Sequence, residues 1–252
     1  MLAERQESHW RILFGGAKTA AEQMAYDAAL AHEPIPTVRF FSWQRPAISL
    51  GWKQPWPDWV KAGGSAVAVV ERPTGGGIAI HGSDLSVAVI VPRAAGIPLD
   101  ALMSIVCRSA VRLCQQQGVD AAPVLEMPAT KRITYCLTET SPYAVMAGAK
   151  KTAGFALRRY PSTWLIQGSL LVRPIPRALA NAMPPHDRRQ FEARAVPLAR
   201  AAATPLHEKE MAQCWAGHWS LWWDEEMMTR MLEDDAAETA HTRIQRSKVL
   251  SV

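Results

Sequence analysis

The triplet Gly75-Gly76-Gly77 restricts the possible folds most, because it stands between apolar runs of strand length. Ala66–Val70 precedes it, and Ile78–His81 and Leu85–Val91 follow, so the stretch reads as strand, loop, strand, strand. Three positions without a Cβ leave backbone N–H groups open to close approach by a ligand. Arg72 brings fixed charge to the loop entry, and His81 brings a donor or acceptor to its exit. A glycine-rich turn between strands also serves purely structural ends, and these residues alone leave both readings open.

Other segments fill in an α+β pattern. Residues 18–31 read as a helix with Ala20, Met24, Ala28 and Leu30 on one face. Thr37–Trp43 and Ala47–Leu50 read as a strand pair turning at Arg45-Pro46, and Pro55–Ala62 as a short helix stopped by Gly63-Gly64. The clearest helix is Leu99–Gln117, ended by Gly118, with Cys107 and Cys114 packed in the core as small hydrophobes. Tyr143–Met146, Thr152–Arg158 and Thr163–Val172 read as strands, and the chain is helical from Arg177. There Trp215, Trp219, Trp222 and Trp223 share a face that docks on the sheet. Residues 1–252 read as one domain, with residues 234–252 a frayed polar tail.

With 48% hydrophobic and 20% charged residues, the chain has an ordinary globular balance. No run approaches the ~18 apolar residues of a membrane helix, and the N-terminus lacks an apolar signal core, so a cytoplasmic protein is expected. The four cysteines lack CxxC spacing, which argues against a zinc site or a disulfide framework. A net charge of +5, without a Lys/Arg cluster interleaved with aromatics, sets nucleic acid aside as a partner.

A second segment, from Tyr135-Cys136 to Gly168-Ser169, also draws attention. Cys136 sits in a turn-like stretch ending Ser141-Pro142, unlike the helical cysteines. Lys151 opens an apolar strand and points to whichever face Ala153 and Ala156 do not fill. A loop cysteine near a lysine can ionise readily, and the thiolate is the nucleophile.

Five motifs in order resemble the lipoate–protein ligase and octanoyltransferase superfamily, related to biotin–protein ligases. They are the helix Glu22–Leu30, the strand Pro46–Gln54, the loop Arg72–Gly77 with His81-Gly82, the strand Lys151–Ala156, and Gln167-Gly168-Ser169-Leu170-Leu171. The resemblance implies a biotin/lipoate protein ligase-like (class II aminoacyl-tRNA-synthetase-like) mixed β-sheet flanked by helices, with a helical C-terminal region. In the cysteine-dependent branch the nucleophile precedes the lysine by fifteen residues, in a segment of form Cys-x-x-x-x-Ser-x-Tyr. Cys136, Ser141, Tyr143 and Lys151 fit that spacing. The chain departs from the family's pattern at Gln167 (usually histidine), Glu71 (often arginine) and Ala144 (a carboxylate in the cysteine branch).

The resemblance implies catalysis by Cys136 and Lys151. It implies substrate contacts from Arg72, Gly75, Gly76, Gly77, His81, Gly154, Ala156, Gln167, Gly168 and Ser169, and no metal. An octanoyl or lipoyl group would pass from acyl-carrier protein through Cys136 to a lysine of a lipoyl-type domain. The acceptor would be the glycine-cleavage H protein or a 2-oxoacid dehydrogenase subunit. The chain would lie in an apolar tunnel beneath the glycine triplet, with N–H groups of the triplet or of Gly168 holding the oxyanion. No cofactor is then required. The alternatives are an ATP- and Mg²⁺-dependent lipoate ligase, and a catalytically silent acyl- or carrier-binding module.

Overall fold

Thr19 starts the first helix. Its hydroxyl accepts from the Glu22 N–H, and the Glu22 carboxylate accepts from the Thr19 N–H, satisfying two donors reciprocally. Helix α1 then runs Ala20–Leu30. Ala20, Met24 and Leu30 face inward as expected, but Gln23 and Asp27 are buried beside them, and Ala28 is only half-buried. The computed structural model describes residues 10–62, 67–125, 134–139, 141–202 and 205–222.

Among the described residues the strands are β1 (Arg11–Lys18), β2 (Thr37–Trp43), β3 (Ala47–Leu50), β4 (Ala68–Glu71), β5 (Ala79–His81), β6 (Asp84–Pro92), β7 (Ala122–Val124), β8 (Ala144–Ala147), β9 (Lys150–Arg159) and β10 (Thr163–Leu171). The helices after α1 are α2 (Asp58–Ala62), α3 (Leu99–Gln116), α4 (Arg177–Ala182), α5 (Pro185–Arg194) and α6 (Glu208–Trp222). A mixed seven-stranded sheet has the order β1-β2-β6-β10-β9-β8-β7, and a three-stranded sheet the order β4-β3-β5. The first is antiparallel except for β1 beside β2.

Alternation along the central strands separates two faces. Val38 and Phe40, Val87 and Val89, Ala153 and Phe155, and Ile166 and Leu170 point toward α3 and α6. Leu102, Val106 and Leu113 of α3 meet them, with Trp215 and Trp219 of α6. Each fully buried Val, Leu, Ile or Phe side chain among them contributes roughly 1.5–3 kcal/mol. Cys107 and Cys114 are buried in this core, as expected, and Trp215 docks on Phe40 at 5.4 Å between ring centres. The other face carries Arg39, Phe41 and Trp43, then Asp84 and Ser86, then Gln167 and Ser169, all buried under α1 and the small sheet. Polar groups this dense on a buried face mark the site.

Three sequence expectations change. β2 and β3 do not pair as a hairpin. They belong to different sheets, because the chain at Pro46 crosses over and its carbonyl accepts from Ala68 N–H. β4 is a partly exposed edge strand rather than a buried one. β1, which the sequence reading did not assign, extends the large sheet through a bulge between Phe14 and Gly16. Gly63-Gly64, Trp223 and residues 234–252 lie outside the described residues, as does the side chain of Trp222. No helix among the described residues is long and apolar enough to cross a membrane.

Candidate active site

Between the sheets lies a cavity of about 30 Å³ that opens to solvent. Its lining interleaves the apolar Met24, Phe41, Trp43, Ala79 and Ala156 with Ser49, Arg72, His81, Ser86, Cys136, Gln167 and Ser169.

Cys136 follows a single bridge between Ile78 and Tyr135, and its N–H donates to the Ile78 carbonyl at 2.8 Å. The nucleophile candidate is thereby stitched to the residue that follows the glycine triplet. From the other side comes β9. A Cβ built at Gly154 would stand 2.9 Å from Cys136 Sγ and 3.2 Å from Lys151 Nζ, so sulfur and ammonium converge on one point. Lys151 is 2% exposed and donates to the Glu139 carbonyl at 3.1 Å and to Ser141 Oγ at 2.8 Å. Two of its three N–H bonds are thus engaged. Burial lowers its pKa, while the nearby Cys136, Cys107 and Glu139 act to raise it. Ala153 and Ala156 lie on opposite faces of β9, and the ammonium ends on the Ala156 side, so the expectation that it avoids both is corrected.

The glycine triplet is wrapped around Arg72. This buried guanidinium donates through Nη2 to the Gly75 and Gly77 carbonyls, both at 2.6 Å, and through Nη1 to the Ser49 carbonyl and hydroxyl. Burial lowers the Arg72 pKa, and the electrostatic pull of Cys136 acts the other way. Gly75, Gly76 and Gly77 are not themselves among the cavity's walls; Arg72 stands there instead, and Gly76 approaches Ala156 from outside. Gly76 needs glycine because its φ is +88° and a Cβ there would meet Arg72 Nη2 at 2.9 Å, whereas a Cβ at Gly75 would meet nothing; Gly51 needs glycine because it crosses this loop closely. A Cβ at Gly51 would stand 2.2 Å from the Gly76 carbonyl oxygen.

Gly168 contributes backbone to the wall, but its missing side chain serves the core. A Cβ there would meet Phe155 at 2.3 Å. Paired on both sides, β10 commits its amide to the ladder, so Gly168 is not the free oxyanion donor expected.

Gln167 Oε1 accepts from the Thr74 hydroxyl at 2.8 Å, and Nε2 donates to Asp27 Oδ2 at 2.6 Å. This links the glycine loop to α1. Asp27 also pairs with Arg39 at 2.6 Å, and Arg39 bonds Gln23. Burial raises the Asp27 carboxyl to about 6, against the lowering effects of Arg39 and Gln167. His81 Nδ1 lies 2.8 Å from Asp84 Oδ2, and Trp43 stacks on its ring at 3.9 Å. The sequence reading missed Asp27, Arg39, Ser49, Asp84 and Ser86. The available signal was a polar residue at a position whose period predicts burial.

Comparison with known proteins agrees with this architecture. The octanoyltransferase LipM of Symbiobacterium thermophilum is 30% identical over 235 residues, covering 83% of this chain and 85% of that one. That of Kyrpidia tusciae is 29% identical, covering 82% and 84%. Among solved structures, lipoate-protein ligase A bound with ATP superposes with a TM-score of 0.64 at 20% identity, over 82% of this chain and 83% of that one. The bi-partite lipoate protein ligase of Thermoplasma acidophilum superposes at 0.61 and 18%, over 82% of each. These two likenesses carry the fold. Residues 19–213 match the lipoyl protein ligase A/B catalytic domain, and the chain belongs to that family.

Proposed function

We propose that this enzyme transfers an octanoyl group from a carrier thioester to a lysine of a lipoyl-type domain, through an acyl-Cys136 intermediate. The observation that carries the reading is the convergence of Cys136 Sγ and Lys151 Nζ beside Gly154, at a cavity whose lining includes Met24, Phe41, Trp43 and Ala156. Kinship with proteins named octanoyltransferase supports the acyl group.

In the first half-reaction the Cys136 thiolate attacks the octanoyl carbonyl. A new C–S bond forms, the bond to the carrier sulfur breaks, and the carrier thiolate leaves. Lys151 and Arg72, both buried and cationic, stabilise the negative charge that develops. Met24, Phe41, Trp43 and Ala156 receive the alkyl chain, each buried methylene contributing about 0.8 kcal/mol. In the second half-reaction the neutral amine of the acceptor lysine attacks the acyl-cysteine. An amide forms, the amine proton is released, and the Cys136 thiolate is regenerated. The donor is octanoyl-acyl-carrier protein, and the acceptor is the glycine-cleavage H protein or a 2-oxoacid dehydrogenase subunit.

Intact-protein mass spectrometry after mixing with octanoyl-acyl-carrier protein, without ATP, tests this. One octanoyl adduct that maps to Cys136 and passes to an acceptor domain is the expected result. Acceptor modification that needs ATP and survives Cys136→Ala overturns it.

A further inference from the structure

The cavity holds a second nucleophile candidate with its own proton path. Ser49 Oγ lies 2.8 Å from His81 Nε2, and His81 Nδ1 lies 2.8 Å from Asp84 Oδ2. The bonds around Asp84 set the direction of its bond to His81. Asp84 accepts from Gly82 N–H at 3.0 Å, Ser86 Oγ at 2.9 Å and Ser169 Oγ at 2.8 Å. Burial opposes its charge, but His81 and the two serines outweigh that and hold the carboxyl below its usual range. An ionised carboxylate only accepts, so His81 donates from Nδ1, and in the neutral ring that tautomer leaves Nε2 to accept from Ser49. Arg72 Nη1 donates to Ser49 Oγ at 3.2 Å, leaving the serine's own hydrogen for His81. Trp43, stacked on the imidazole, favours the cation that would form when that hydrogen moves. Arg72 is the charge beside a developing oxyanion.

We propose that Ser49, His81 and Asp84 form a second acyl-accepting site, which takes a medium-chain acyl group from an activated ester and releases it to water. It is the relay of a serine hydrolase, recognised by geometry rather than chain order. Ser49 Oγ bonds the acyl carbon, its proton passes to His81 Nε2, and the ester's thiol or alcohol leaves with that proton. Water then attacks the acyl-serine, its proton passes through His81 to Ser49, and the carboxylic acid departs. The choice of acyl group rests on the octanoyl reading of the cavity.

The test uses the full chain carrying Cys136→Ala, with Cys136→Ser as a second background should the first fold poorly. Each is incubated with an octyl fluorophosphonate and with p-nitrophenyl octanoate. We expect one phosphonyl adduct on Ser49 by peptide mapping, and ester hydrolysis that disappears with Ser49→Ala and falls about 100-fold with His81→Gln. No adduct in either folded background, or an adduct on another residue, overturns the proposal. Octanoylation of Cys136 in the unsubstituted chain is measured in parallel. If it occurs while Ser49 stays unlabelled, only the second site fails; if neither residue reacts, the octanoyl reading fails as well.

Discussion

A carbon added at Gly154 would stand 2.9 Å from the sulfur of Cys136, closer than non-bonded atoms tolerate. Gly154→Ala should therefore move the sulfur or Lys151 and lower octanoyl transfer about 100-fold, the cost of an ångström-scale misplacement. The urea unfolding midpoint should change little. Transfer at the normal rate would show that the contact is not part of the reacting geometry.

Gly168 makes the opposite case. An added Cβ would meet the Phe155 ring at 2.3 Å and Val87 at 3.1 Å, on the core face of the sheet. Gly168→Ala should cost about 1–3 kcal/mol of stability through overpacking. Folded molecules should keep their transfer rate, measured per active site.

Cysteine reactivity should rank by surroundings. Burial pushes the Cys107 and Cys114 thiols up, whereas Lys151 and Arg72 face Cys136. Iodoacetamide at about pH 7 should label Cys136 well before either buried thiol, and Lys151→Met should slow it. Cys136→Ala should abolish the octanoyl adduct, while Cys107→Ala and Cys114→Ala retain it.

Nucleotide divides transfer from ligation. With an acyl group already activated as a thioester, ATP-Mg²⁺ at millimolar concentration should leave the melting temperature unchanged. A ligand at about 100 times its Kd would add roughly 2.7 kcal/mol. A clear upward shift, with lipoate and ATP modifying an acceptor domain, would favour the ligase.

Asp27 gives a pH signature of fixed sign. Burial raises its carboxyl from 3.8 to about 6, so the folded chain binds the proton more tightly than the unfolded one. Its contribution to stability is fully present below about 4 and is lost as pH rises through about 6. Urea unfolding should show the unsubstituted chain losing stability relative to Asp27→Asn across that window. A relative gain would mean that Arg39, not burial, sets the carboxyl.

Strand and helix periods were legible: α1, β2, β3, β6, α3, β9 and β10 lie where apolar spacing puts them. The fifteen-residue offset from Cys136 to Lys151, read through the family resemblance, named the pair that meets beside Gly154. What escaped depends on long-range partners. Asp27 stands at a position of α1 whose period predicts burial, but the partners that make it tolerable there, Arg39 and Gln167, lie 12 and 140 residues away. Ser49 and His81, 32 residues apart, meet because β3 and β5 are antiparallel neighbours in the small sheet. Local spacing does not encode that pairing. The glycine triplet stays open between ligand cradle and structural turn on sequence alone, because a run of bare backbone looks the same whether its N–H groups face a ligand or its carbonyls hold an arginine.

The hydrogen bond from Cys136 N–H to the Ile78 carbonyl has a practical consequence for inhibitor design. It joins Cys136 to the chain between the triplet that Arg72 gathers and the wall residue Ala79, so the proposed warhead site and one cavity wall share an anchored backbone. An electrophile on a medium-length alkyl tail would meet a fixed distance between its points of attachment. Potency would then peak at one tail length and fall on both sides, instead of rising steadily with greasiness.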